Sequence, residues 1–105
     1  MAFRSRQRTL EEKFQHDKML EFKVMSRRNR LLGLWAAGQM GLDDVGAESY
    51  ARYMVSLTLH PRGAEAAVDH ILKSFQEQGV SCSENQVRKQ VSYLEQDAER
   101  QVTNE

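Results

Sequence analysis

RRNRLLGLWAAGQMG, residues 27–41, sets three arginines and an asparagine against a run of large apolar residues that holds the chain's only tryptophan, Trp35. Three readings compete for such a junction: a membrane anchor, a helix that reads nucleic acid, or the centre of a soluble core. The anchor fails first. Residues 31–38 are the longest run without a polar side chain, far short of the roughly 20 apolar residues that span a bilayer.

Upstream of this block, residues 9–32 contain neither proline nor glycine, and Leu10, Phe14, Phe22, Met25, Leu32 and Trp35 recur at mostly helical spacing. Thr9-Leu10-Glu11-Glu12 has the form of a capping box, which predicts a helix from Thr9 to about Met40. Such a helix extends roughly 48 Å, more than the core of a domain this size covers. Its basic front must project or bend away, unless it packs on a second copy. Gly38 and Gly41 end it, and Asp43 or Asp44 caps a second helix with Ala47, Tyr50, Ala51, Met54 and Leu57 inward and a Glu48–Arg52 pair outside. His60-Pro61 breaks that helix, the proline suiting the first turn of a third. Ala64, Ala67, Val68, Ile71, Leu72 and Phe75 line the third helix, which Gly79 closes. A second capping box, Ser83-Glu84-Asn85-Gln86, opens a fourth carrying Val87, Val91, Leu94 and Ala98 on one face. Four amphipathic stripes that need partner faces predict an all-α, antiparallel four-helix bundle, with a tail that frays from Gln101.

The chain has 105 residues, one domain's worth, and 15 basic against 15 acidic side chains. That balance conceals an asymmetry: residues 1–30 hold nine Lys/Arg against four Asp/Glu, and the remainder six against eleven. A basic front suited to an acidic partner and an acidic body are the implication. Cys82 is the only cysteine, which excludes an internal disulfide, fits a reducing compartment and reads as a small half-buried side chain. The N-terminus starts basic but reaches no apolar stretch with a cleavage site, so export is not expected.

Catalysis finds little support. His16, His60 and His70 lie on three segments without cysteine or carboxylate at metal-ligand spacing, so no metal, cofactor or enzymatic activity is expected. Gly33 and Gly38 have the spacing of a phosphate-binding loop, but Gln39 and Met40 stand where lysine and a hydroxyl residue are required. Gly33 is read instead as the close approach of a neighbouring helix beside Trp35. Two arginine clusters, Arg4, Arg6 and Arg8, then Arg27, Arg28 and Arg30, could neutralise phosphates. Both sit on one long helix with Glu11, Glu12, Asp17 and Glu21 between them, unlike a recognition helix. Arg27, Arg28 and Arg30 are read as a solvated rim whose stems cover the apolar stripe.

The contiguous block Arg27, Arg28, Asn29, Arg30, Leu31, Leu32, Gly33, Leu34, Trp35, Ala36 and Ala37 resembles the motif of the zeta subunits of alphaproteobacterial F-type ATP synthases, a family of small ATPase inhibitors. Phe3, Glu12-Lys13-Phe14, His16-Asp17, Phe22-Lys23, Tyr50-Ala51, Gly79-Val80 and Gln86-Val87-Arg88 extend the resemblance along nearly the whole chain. The resemblance implies a four-helix bundle whose N-terminal segment, mobile and disordered in the free protein, folds into a catalytic αβ interface of the ATP synthase head and reaches the γ stalk. There it blocks rotation during ATP hydrolysis and is expelled by rotation in the synthesis direction. On this reading residues 1–16 are the inhibitory segment and residues 17–105 the bundle. Phe3, Leu10 and Phe14 are then apolar anchors, Arg4, Arg6, Arg8 and Lys13 charged ones, and residues 27–35 the core and its rim. Many relatives are acidic just after the first phenylalanine, where this chain has Arg4-Ser5-Arg6-Gln7. The implied protein is a cytoplasmic monomer that reaches the inner face of the membrane only through the ATP synthase, with no nucleic acid bound. A nucleic-acid-binding helical protein, or a helical adaptor or homodimer paired along Phe14, Phe22 and Met25, are the alternatives.

Overall fold

Neither proline nor glycine occurs before Gly33, and in the computed structural model a single helix, α1 (Ala2–Gln39), runs through that whole stretch. The structure describes residues 2–105, with side chains from residue 17 onward. α2 (Asp44–Ser56) follows, continued by a 3-10 turn (Leu57–Leu59), then α3 (Ala64–Gln78) and α4 (Glu84–Thr103). The expected all-α four-helix architecture is present. α1 begins well ahead of the capping box at Thr9, because Arg and Gln between Phe3 and Arg8 are good helix formers and nothing there stops the helix.

Each boundary has a local cause. Gly41, with φ of 71°, closes α1: its N–H donates to the Gly38 carbonyl and that of Leu42 to the Ala37 carbonyl, a Schellman motif that a residue with a Cβ would strain. Gly38 therefore lies inside the last turn rather than ending the helix. The Asp43 carboxylate accepts from the Gly46 N–H at 2.7 Å and caps α2. Pro61 sits in an irregular turn ahead of Ala64 rather than in the first turn of α3. At α4 both bonds of the capping box form: the Gln86 N–H donates to Ser83 Oγ at 3.1 Å and the Ser83 N–H to Gln86 Oε1 at 2.9 Å. The end of α4 is ordered helix, not a frayed tail, because Val102 is buried.

α2 and α4 run antiparallel to α1 along its C-terminal half, and α3 closes the bundle against α4 and the 3-10 turn. Leu32, Ala36, Met54, Val68, Ile71, Phe75, Val87 and Leu94 form the core, with Leu31, Trp35 and Cys82 packed half-buried on it. The ring of Trp35 meets Phe75 edge-on, centroids 5.7 Å apart. Between α2 and α3, Tyr50 donates to Ser74 Oγ at 2.9 Å, and the His70 ring lies against Tyr50 and Tyr53, with centroids 5.4 and 4.4 Å apart.

The 38 residues of α1 measure about 57 Å and the 20 of α4 about 30 Å. The molecule is accordingly 64 Å long and 24 by 20 Å across, with a radius of gyration of 17.0 Å against roughly 13 Å for a compact chain of this length. The bundle covers only part of its first helix.

α1 and α2 meet most closely at Gly33, where an added Cβ would lie 2.8 Å from the Ala51 Cα and 3.0 Å from Met54 Cγ. Gly33→Ala must push two backbones apart, and this overpacking, at the upper end of about 1–3 kcal/mol, outweighs the about 1 kcal/mol gained in helix propensity. Gly38 has open space at the same construction, so Gly38→Ala is expected to stabilise by about 0.4–1 kcal/mol. Urea denaturation of the two variants checks both signs.

Candidate functional site

The buried face of α1 follows the helical i,i+4 rows 28, 32, 36 and 29, 33, 37. Arg28 and Asn29 thus belong to the interior, at 5% and 0% exposure, not to a solvated rim. Leu34, one step off those rows, is exposed rather than core. Phe22, expected on the inward stripe, is 43% exposed and lies beside Val55 at the flank of α1.

Burying Arg28 and Asn29 requires partners for every donor, and the fold supplies them. Arg28 Nη1 donates to Glu95 Oε1 at 2.9 Å, and its Nε and Nη2 both donate to Asn29 Oδ1 at 3.2 Å. Asn29 Nδ2 donates to Thr58 Oγ1 at 3.2 Å, and the Thr58 hydroxyl to the Val55 carbonyl at 2.6 Å. One chain of hydrogen bonds therefore links α4, α1, the 3-10 turn and α2. Among the described residues no buried side-chain nitrogen or oxygen lacks a partner.

The neighbouring arginines face other elements. Arg30 grips Glu48 of α2 with both terminal nitrogens, at 2.9 and 3.0 Å. That hydrogen-bonded guanidinium holds the Glu48 carboxyl below its ordinary range against an opposing desolvation. The expected Arg52–Glu48 pair is present but longer, at 3.7 Å. Arg27 donates to Gln101 Oε1 at 2.9 Å and pairs with Glu105 at the end of α4. The three arginines thus diverge onto three different carboxylates, Glu105, Glu95 and Glu48, and do not converge on one phosphate-sized site. Neither Glu95, Glu48 nor Glu105 carried a sequence signal as their partner, because the pairings join residues 18 to 78 positions apart.

The side chains expected to bind a partner, Phe3, Arg4, Arg6, Arg8, Leu10, Lys13 and Phe14, lie outside the described residues, as does His16. His60 accepts the Arg62 N–H on Nδ1 at 3.1 Å, and His70 is the aromatic-stacked residue between α2 and α3. Among the described residues no group of three His, Cys, Asp or Glu side chains is placed to hold a metal ion. No helix among them is long and apolar enough to cross a membrane.

The family model described as ATPase inhibitor subunit zeta matches residues 1–101. The chain belongs to this family. The zeta match spans the basic front, the arginine block and nearly all of the bundle, so the family's regulatory role as an ATPase inhibitor subunit attaches to nearly the whole chain. No curated protein and no solved structure matches the chain.

Two predictions follow from this geometry. Asn29→Leu keeps the branched heavy-atom shape, with a larger volume, but leaves Arg28 Nε and Nη2 without their acceptor; a loss of about 2–3 kcal/mol in urea denaturation is expected. The second concerns pH. Burial and then Lys73 depress the His70 pKa, with Glu77 opposing. The unfolded chain therefore takes up the proton near pH 6.5 while the folded one resists it, so stability is full above that pH and falls as pH drops below it. Glu48, also depressed, contributes above its ordinary 4.5 and is lost only as pH falls further. Melting temperature followed from about pH 8 down to about pH 2 should show both steps, and His70→Gln should flatten the upper one alone.

Proposed function

We propose that this zeta-family chain inhibits ATP hydrolysis by inserting the N-terminal part of α1 into a catalytic αβ interface of the ATP synthase head, next to the γ stalk. The observation that carries this reading is the mismatch of lengths: a 38-residue helix held by a bundle that covers only its second half. A helix without proline or glycine over residues 2–32 is a stiff wedge, since sharp kinks need such breaks. Residues 1–16 form the inhibitory segment and residues 17–105 the body that carries it.

In this mechanism Phe3, Leu10 and Phe14 bury their apolar surface in the cleft, while Arg4, Arg6, Arg8 and Lys13 meet acidic groups of the α, β and γ subunits. The basic stretch after Phe3 then calls for acidic counterparts on the cognate head. The wedge obstructs the rotor during hydrolysis and is pushed out by synthesis-direction rotation, so no chemistry of its own is involved. The protein acts as a monomer in the cytoplasm, at the membrane's inner face through the ATP synthase. The internal pairing of Arg27, Arg28 and Arg30 weighs against the nucleic-acid alternative, since those charges already have acceptors.

The test is ATP hydrolysis by the purified cognate head with the full-length protein and with a version lacking residues 1–16. Full-length protein should suppress hydrolysis, and the shortened one should be weaker by at least about a hundredfold. Equal inhibition by both would place the activity in the bundle and sink the wedge.

A further inference from the structure

Among the described side chains, burial of α1 begins at a definite place. Residues 17–19 are exposed, and Leu20 is the first half-buried residue among those described. The last turn of α4 lies alongside it: Val102 is 6% exposed and lines one cleft with Leu20 and Val24 of α1. One helical turn further along, Arg27 reaches Gln101 at 2.9 Å and pairs with Glu105. The buried valine and the ion pair thus come from the same five residues, beside the first half-buried turn of α1 among the described side chains. The family match stops at residue 101, so Val102 and Glu105 lie past its end.

We infer that residues 101–105 are a latch that positions the inhibitory arm, an inference that rests on the insertion reading above for its consequence but not for its existence. With Val102 seated and Arg27 paired, α1 is clamped from Leu20 onward and the arm leaves as a straight continuation of a fixed helix. A wedge aimed in advance loses less conformational freedom on docking than one swinging from a loose root. Without the latch, the nearest remaining grip on this face is the Arg28–Glu95 pair, and α1 is free to open from its root up to about residue 27. Val102, Glu105 and Gln101 are positioning residues in this scheme: they act through α1 and touch no partner.

Amide hydrogen exchange on the full chain reads the latch directly, and inhibition of hydrolysis by the cognate head reads its consequence. Deleting residues 101–105 should speed exchange at residues 20–27 by about tenfold while leaving residues 32–37 unchanged. It should also raise the concentration for half-inhibition by about tenfold at the same maximal inhibition. Arg27→Glu and Glu105→Arg keep Val102 and the chain length, so they report even if the deletion unfolds the bundle. Each single swap should move both readouts the same way, and the double swap should restore them. Unchanged exchange at residues 20–27 in all variants overturns the latch. Faster exchange with an unaltered half-inhibitory concentration overturns its positioning role. If the unaltered protein does not inhibit, the insertion reading fails, and exchange alone decides whether the latch exists.

Discussion

Two backbones touch where α1 crosses α2, because Gly33 has no side chain to hold the Ala51 Cα away. Packed helices ordinarily stand about 8–10 Å apart, a distance set by the side chains between them; here that spacer is missing on one side. The neighbouring contacts require this closeness. One turn before Gly33, Asn29 reaches Thr58 directly, and Arg30 reaches Glu48 with both arms. Met54 and Leu32 close the space around the crossing without exposure to water. A wider separation would leave Asn29 buried beyond hydrogen-bonding reach of Thr58, and an unmet buried amide costs more than the bond it forgoes.

The same geometry explains the charge asymmetry of the chain. Three of the nine basic side chains in the first 30 residues, Arg27, Arg28 and Arg30, are answered by Glu105, Glu95 and Glu48 from the acidic remainder. Part of the apparent dipole is therefore the complement of one helix to the two that flank it. Only Arg28 among these is deeply enclosed, and its contribution lies more in excluding other arrangements of α4 than in net stability.

Much of this architecture was legible from local signals. The Ser83 capping box, the Asp43 cap and the left-handed turns at Gly41 and Gly79 are short-range chemistry, and each acts where its residues stand. The apolar stripes of α2, α3 and α4 face inward as their spacing requires. The candidate site was less legible. Arg28 was read as solvated rim because it is charged, yet it and Asn29 share the i,i+4 rows of Leu32, Ala36 and Ala37, and here helical period outweighed residue type. Leu34 failed the other way, an apolar residue on the wrong side of the same helix.

By itself the sequence determined the helices, the caps of α2 and α4, the inhibitor-family membership carried by residues 1–101, and the need for close approach at a glycine beside Trp35. These depend on neighbours within a few positions, or on a contiguous motif. Only the tertiary structure decided which acid answers each arginine, that Asn29 is buried, and that Val102 is buried at the end of α4. The physical reason is sequence separation: a partner 67 or 74 residues away is chosen by where the packed helices bring it, and no local pattern encodes that distance.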